Sequence, residues 1–393
     1  MVQVTTARAE APWSTALAPA ARRELELPGL EALPDGAVDV VVVGAGVTGL
    51  SAALAARAAG AQVVMLEAEP AIGRGATGRN AGILSAGINM GLTDLPAASP
   101  HLAMWPATTS VLLALVERAR QPGALLVASL TGALSLAEHA SAARHLAREA
   151  RARQALGLRA EVWTAEQVAA HTVGRLNTHA VQAALWLPDE GRIDPQTLLA
   201  QLARDARAAG VVLVGGAQVV NCDEARLSGG RPGWQVLLAG ARTLAARGLV
   251  QADGPIQRAN ARIYALAFAA QLPDDFPLFW DSAPYTYCDF RPGNGRLGVS
   301  GGRYGRAGAA RRDAHYHAQL AAAARHWLPE LAGESPSHAW AVDLAVAHDL
   351  IPQARTLGQT APGMAIEGLG ALGVLPGIVL GRRAGEAVAR AVG

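Results

Sequence analysis

At 393 residues the chain is long enough for two domains with separate cores, and a formal charge of only +2 leaves no electrostatic footprint for nucleic acid. All 34 basic residues are arginine, which excludes pyridoxal phosphate enzymes, dependent on a Schiff-base lysine, and P-loop nucleotide hydrolases, dependent on a phosphate lysine. Cys222 and Cys288 are too few for a disulfide framework or a metal cluster, no apolar run reaches the ~18 residues of a membrane span, and the charged, proline-containing opening does not read as a signal peptide, so a cytoplasmic location is expected.

Residues 1–37 read as a surface arm. The apolar, β-branched run 38–43 then predicts a buried parallel strand, ending on Gly44-Ala45-Gly46-Val47-Thr48-Gly49. In this GxGxxG spacing Gly44 permits the tight turn, Gly46 lets backbone approach a pyrophosphate, and Gly49 allows close helix-on-strand packing. A helix over 48–59 directs its free N–H groups and dipole at the phosphates. A second strand over 62–66 ends at Glu67, about 20 residues past the glycines, where an acid accepts hydrogen bonds from an adenosine ribose. The unit selects an adenine dinucleotide without choosing between NAD and FAD.

The next stretch, AIGRGATGRNAGIL over 71–84, is too rich in glycine for a helix and suits either a phosphate- or ring-wrapping loop or a plain surface loop. Residues 108–153 carry a helical pattern, as do 165–170, and together they open a second domain. His139, His145, His171 and His179 have no ligand spacing, so no metal site is expected. A strand over 180–188 precedes DEGRIDP, in which Asp194 is an N-cap and Pro195 a first helical residue. Leu198, Leu199 and Leu202 give that helix its apolar face, and a strand over 211–214 returns the chain to the first domain. Strands over 217–221 and 234–238 form a meander, and 249–251 rejoins the central sheet. Strands at 262–269 and 296–299 flank FPLFWDSAPYTYCDFRP. A helix over 310–326 and a strand over 338–346 follow, then a short strand, a glycine-rich turn and a terminal amphipathic helix.

This alternation resembles the D-amino acid oxidase superfamily of FAD-dependent oxidoreductases, most closely its glycine oxidase, sarcosine oxidase and γ-glutamylputrescine oxidase-like members. The resemblance covers nearly the whole chain and is carried by VVVGAGVTGLSAALAARAAGAQVVMLEA, ATGRNAGIL, DEGRIDP, RLGVSGGRY and GLGALGVLPGIVLGRRAGEAVA. It implies an α/β fold: an FAD-binding Rossmann-like domain over 38–100, 185–258 and 345–393, with a discontinuous α+β substrate domain over 101–184 and 259–344 inserted. Gly44, Gly46 and Gly49, with Val47 and Thr48, would face the pyrophosphate, and Glu67 and Ala68 the ribose. Arg74, Thr77, Arg79, Asn80, Ala81, Gly82 and Ile83 would lie along the phosphates and flavin, and the Val219 backbone would meet the adenine. Gly370, Leu372, Gly373 and Val374 would present a turn and helix N-terminus to the flavin's pyrimidine edge, stabilising negative charge there.

The resemblance also implies noncovalent FAD, because Arg79 stands where covalent members carry a histidine and the late strand region lacks their cysteine. Tyr264, Tyr285, Tyr287 and Arg291 are candidate substrate-wall residues. Asp343, in Trp340-Ala341-Val342-Asp343, stands where the family carries a carboxylate-gripping arginine, which implies a cationic substrate, with His348 as proton acceptor. The implied activity is oxidation of a C–N bond in a small amine or amino acid by hydride transfer to flavin. A noncatalytic or subunit-type FAD protein with a degenerate substrate site stays open, as does, more remotely, an NAD enzyme; the oligomeric state is not legible.

Overall fold

A computed structural model describes residues 7–253, 259–281 and 288–393. Its organising strand is Val38–Val43, which pairs in parallel with Val63–Leu66 on one side and Thr243–Gln251 on the other. Val40, Val41 and Val42 are fully buried, as the unbroken valine run requires of a strand covered on both faces. The full sheet runs Val219–Arg226, Pro232–Leu238, Thr243–Gln251, Val38–Val43, Val63–Leu66, Val212–Val214. Thr243–Gln251 divides its outer edge: its first half pairs antiparallel with Pro232–Leu238, while Leu249 to Gln251 pair in parallel with Gly363–Glu367. Gln353–Thr356 lies outside that last strand.

The helices Val47–Ala58, Pro195–Ala208 and Val374–Val392 share one core with this sheet. Two of them meet backbone to backbone. Gly377, Gly381 and Gly385 of the terminal helix recur every four residues along one face, and a Cβ on Gly381 or Gly385 would collide with the carbonyl oxygen of Thr48 or Ala52 in Val47–Ala58. Both helix N-termini are thereby held side by side at the edge of the sheet.

The second sheet has the order His338–Leu344, Ala261–Ala269, Arg296–Arg306, Cys288–Gly293, Leu278–Asp281, Ala133–Ala137, Ala183–Leu187, Glu161–Trp163. Strand alternation gives it two different faces. Tyr264, Leu266, Phe268, Phe290 and Val299 pack with Leu320, Ala324 and Trp327 of the helix Asp313–Trp327. Ala265, Ala267, Trp340 and Val342 look the other way. A small third sheet, Ile83–Leu84, Gly191–Ile193 and Ala128–Leu130, joins the two larger ones. The fold is thus the expected α/β arrangement of a Rossmann-like domain with a second, mixed sheet threaded through it.

Three expectations are corrected. The opening segment is not a surface arm: Ala11, Trp13, Ala21 and Leu25 are buried, and Arg8 pairs with the edge strand through Arg8 N–H to Ser337 O at 3.0 Å and Ala339 N–H to Arg8 O at 2.9 Å. Its apolar residues are too sparse to show a period, yet each fills a gap in a core built from later sequence. Residues 108–153 are not one helical region, since Ala128–Leu130 and Ala133–Ala137 separate the helices Met104–Ala119 and Ala140–Ala155. Gly132 makes that break, with φ +67 and no room for a Cβ against Trp186. Finally, Ala183–Leu187 pairs with Ala133–Ala137, so the second sheet extends to 187, past the boundary drawn after 184. Among the described residues no helix is long and apolar enough to cross a membrane, and no cluster of three His, Cys, Asp or Glu is placed to hold a metal.

Candidate functional site

The three glycines of the first turn are required for different reasons. Gly44 has φ +95, and a Cβ there would lie 2.6 Å from the Cα of Asp253, where the chain leaving Thr243–Gln251 crosses the turn. A Cβ on Gly49 would strike the Gly44 carbonyl. Gly46 is different, because its Cβ would meet nothing nearer than Thr77 Oγ1 at 3.4 Å. Its α-carbon faces open space at the start of the helix Val47–Ala58, whose first N–H groups, from Val47 and Thr48 onward, have no helical acceptor. Packing dictates two of these glycines and leaves the third free for a ligand, so the turn fits the dinucleotide that the sequence implies.

Glu67 is tied to this turn, its carboxylate accepting the Ala45 N–H at 2.8 Å and the Glu69 N–H at 3.1 Å. Its own backbone is fixed by Glu67 N–H to Val214 O and Ala217 N–H to Glu67 O, which brings the start of Val219–Arg226, irregular at Val219, alongside. Ala68 is exposed just beyond. Arg74 is also exposed, at 4.0 Å from Glu69, a pairing worth little in water.

The loop 71–84 is held by its carbonyls, by groups from both domains and the opening segment. Gly78 O accepts from Trp13 Nε1 and Gln196 Nε2, both at 3.1 Å. Arg79 O accepts from Trp340 Nε1 at 2.9 Å. Gly82 O accepts from the Ile193 N–H at 2.9 Å and Arg291 Nε at 3.3 Å. Within the loop, Asn80 folds back on itself, donating to Thr77 O at 2.5 Å and accepting the Gly82 N–H at 2.6 Å. Thr77 Oγ1 accepts from the Val47 N–H at 3.4 Å, joining loop to helix N-terminus. Ala81 is partly exposed, and Ile83 pairs with Arg192. Arg79 is half-buried, and burial lowers its guanidinium pKa despite the nearby charge of Asp343. Sequence reading missed Trp13 and Gln196; only the place of Gln196 directly after Asp194-Pro195 offered a hint.

The turn before the terminal helix is gripped by a residue that the sequence reading also missed. Buried Asn89 donates to Leu369 O at 2.8 Å and accepts the Leu372 N–H at 2.9 Å. Gly370, at φ +62, passes so close that its Cβ would lie 2.7 Å from the Asn89 amide. The Leu372 N–H is therefore committed to Asn89, and the N–H groups left to face a ligand are those at Gly373, Val374 and the helix start. The Ala371 N–H faces the phenol of Tyr304, another unforeseen neighbour.

The segment carrying Asn89 is itself anchored by acids. Glu190 accepts the Ala86 N–H at 2.8 Å, and Glu149 accepts the Leu92 and Thr93 N–H groups at 3.1 and 3.0 Å. Arg153 lies between them, 3.0 Å from Glu149 and 3.4 Å from Glu190. Burial pushes Glu190 up to about 7 against the pull of Arg153. Burial would also raise Glu149, but Arg153 and the two N–H groups hold it below its usual value. This gives DEGRIDP a physical meaning: Glu190 anchors the Asn89 segment, Arg192 donates to Pro292 O at 2.8 Å, and Asp194 caps its helix through the Gln196 and Thr197 N–H groups.

Of the four candidate catalytic residues, the structure places only Arg291 on the face toward these loops. It is buried, with Nε on Gly82 O and Nη2 on Ile193 O at 3.0 Å, and burial pulls its pKa down to about 10. Tyr264 lies on the opposite face, 1% exposed and stacked on Tyr316 at 4.3 Å, so it is a core residue and not a cavity wall. Asp343 shares that face and is already paired: Arg262 Nη1 donates to it at 2.9 Å and the Gly308 N–H at 3.3 Å, while Arg262 forks onto Asp313. The charge reversal expected of Asp343 in the cavity is therefore absent, because strand alternation turns inward its neighbour Val342. His348 is exposed in the turn beyond, just after the segment in which Val346 bridges Leu369 and Ala345 O accepts the Gly370 N–H. Tyr285 and Tyr287 lie outside the described residues.

A family model described as FAD dependent oxidoreductase matches residues 39–387. Among solved structures, glycine oxidase from Geobacillus kaustophilus superposes with a TM-score of 0.75 at 22% identity, covering 91% of this chain and 95% of that one. For L-proline dehydrogenase from P. horikoshii the values are 0.71 and 16%, with 91% and 95% covered. For iminodiacetate oxidase from Chelativorans sp. BNC1 they are 0.69 and 20%, with 89% and 94% covered. At such identities the likeness is one of fold. A curated relative, fumarate reductase (cytochrome) from Shewanella frigidimarina, is 45% identical over 65 residues, 16% of this chain, and the match spans only 10% of that protein's length.

Proposed function

The chain belongs to the family of FAD dependent oxidoreductases, and from that premise we propose that it oxidises a C–N bond in a small amine or amino acid. FAD is its cofactor, and when bound supplies the hydride acceptor. In this reading the cofactor is held noncovalently by Gly44, Gly46 and Gly49 with the helix start at Val47 and Thr48, by Glu67 at the ribose, by Val219 at the adenine, by Thr77 to Gly82, and by the Gly370–Val374 turn. The protein's own contribution is positional. Trp13, Trp340, Arg291 and Gln196 fix the carbonyls of the 78–82 loop, and the Asn80 side chain holds its Gly82 N–H. Asn89 fixes the second turn, so that a helix N-terminus meets negative charge where it develops.

The observation that carries the reading is the single sheet face bearing Asp289, Arg291, Ser300 and Trp340, which abuts the cofactor loop through Arg291 and Trp340. Three of the solved neighbours are named for activity on glycine, L-proline and iminodiacetate, all compounds with an amine nitrogen beside a carbon, which supports the same class. A second reading, a flavoprotein without turnover, is favoured by the commitment of Arg262, Asp343 and Tyr264 to packing and ion pairs. Anaerobic titration of the yellow protein with a panel of amines and amino acids separates the two. Bleaching of the flavin bands by at least one of them is expected, and bands that never bleach would select the second reading.

A further inference from the structure

Asp289 is the one acidic side chain on the inward face of the substrate sheet in Cys288–Gly293. Its neighbour Phe290 points outward and stacks on Phe279 at 4.4 Å in the helix-side core, so alternation turns Asp289 inward with Arg291. Across the sheet it pairs with Ser300, which pairs with Ala265, which pairs with Trp340. Those three are all buried, as is Arg291, while Asp289 stays partly accessible. In this cross-strand row the accessible side chains are Asp289 and its neighbour Trp280.

The two ends of its surroundings are the two cofactor loops. Arg291, two residues along the strand, bonds to Gly82, and Tyr304, close enough to feel the charge of Asp289, faces the Ala371 N–H. Among the described residues no hydrogen bond or ion pair involves the Asp289 carboxylate, and the one charge acting on it is the like charge of Asp281. Arg291 keeps its charge but points its Nε and Nη2 at the Gly82 and Ile193 carbonyls, and the charges that act on it are those of Arg192 and Asp194, not that of Asp289. A carboxylate taken out of water without a cation is costly, and the cost is relieved when a cation arrives and makes charge-assisted hydrogen bonds.

Resting on the reading of the chain as an oxidoreductase of C–N bonds, we propose that Asp289 is the specificity-determining carboxylate that receives the ammonium group of the substrate. The site then selects small compounds whose recognised group is a cationic nitrogen, and a substrate carboxylate is not the main handle. The role assigned from sequence to Asp343 passes to a residue that, unlike Asp343, has no arginine of its own.

The test uses the FAD-loaded protein at about pH 9, where Asp289 is ionised and an alkylammonium still carries its charge, and reads ligand binding from the perturbation of its flavin absorption, with n-butylammonium, n-butanol and butyrate as probes of equal reach. The parent should bind n-butylammonium at least tenfold more tightly than either other probe. Asp289→Asn should lose at least tenfold for n-butylammonium while keeping its FAD content, and Asp289→Glu should recover part of the loss. Tighter binding of butyrate than n-butylammonium by the parent overturns the proposal without any variant, as does equal ammonium binding by an FAD-replete Asp289→Asn protein. A parent that binds n-butylammonium in this way but is bleached by no amine leaves Asp289 in its role and removes oxidation. Bleaching by an amino acid, combined with a preference for butyrate, does the reverse.

Discussion

Replacing Trp13 by alanine should damage the cofactor domain from the far end of the chain. The indole is 7% exposed, meets Trp340 edge-on at 5.6 Å, lies under the Arg291 guanidinium at 5.6 Å, and donates to Gly78 O at 3.1 Å. Truncation of a buried aromatic costs about 3–5 kcal/mol, a range that already includes the ring pairing, and the lost hydrogen bond contributes about 1 kcal/mol of it. At ~2.1 cal/mol/K per residue a loss of about 4 kcal/mol lowers Tm by roughly 5 °C for a chain of this length unfolding as one unit. Because the donor acts on Gly78, FAD affinity should fall as well. Trp13→Phe keeps an aromatic ring but loses the N–H and part of the buried indole's volume, so it should cost more than the ~1 kcal/mol of the hydrogen bond alone and less than Trp13→Ala, and reproduce most of the affinity loss. The assays are thermal unfolding of apo and FAD-loaded protein and a fluorescence titration of FAD. A Trp13→Ala protein within about 0.5 kcal/mol of the parent, the range of ordinary surface substitutions, with unchanged FAD affinity, would refute the reasoning.

Gly46→Ala should fold with the Tm of the parent apoprotein yet bind FAD poorly, because its methyl group meets only Thr77 Oγ1 at 3.4 Å within the protein; ultrafiltration measures retained flavin, and full retention would count against the assignment. Gly381→Ala should instead destabilise apoprotein and holoprotein alike by about 1–3 kcal/mol, the usual cost of overpacking, since its Cβ meets the Thr48 carbonyl; calorimetry decides. Acid precipitation should release all the yellow colour to the supernatant, and colour in the pellet would mean a covalent link. Burial and Asp281 raise Asp289 from 3.8 to about 8, so the folded state holds this proton more tightly than the unfolded chain. The stabilisation it gives is complete below about pH 4 and is lost as pH rises to about 8. Asp289→Asn should therefore gain stability relative to the parent across that window, and parallel pH profiles would contradict the placement.

Local features were the legible ones. Gly44, Gly46, Gly49 and Glu67 interact within a stretch of about 25 residues, as such nucleotide-binding units do, so order and spacing alone determined what they build. Asp194 as an N-cap is equally local. Asn89, Trp13 and Glu190 act on partners far along the chain, and nothing adjacent to them reveals those partners. The error at Asp343 has a sharper cause. In a strand the side chains alternate, so an assignment displaced by one position exchanges the cavity for the opposite face. Register is set by pairing, here Arg262 with Asp343 and Ile263 with Val342, and pairing is invisible until the sheet is assembled. Its place on a strand-like segment of the inserted domain likewise named Tyr264 as a wall residue, when the residue stacked on it, Tyr316, comes from a later helix.

The glycine face of the terminal helix sets a timetable for biosynthesis. Gly377, Gly381 and Gly385 press against Thr48 and Ala52, so the helix that opens the nucleotide site has its packing partner in residues translated long after it. Chains emerge from the ribosome N-terminus first, at ~5–20 residues per second, which leaves Val47–Ala58 with an uncovered face for tens of seconds, until Val374–Val392 has cleared the exit tunnel. The early-made portion of the site is thus completed by a helix made much later. A ribosome stalled before residue 374 would expose a nascent protein unable to retain flavin, whatever the state of its second sheet.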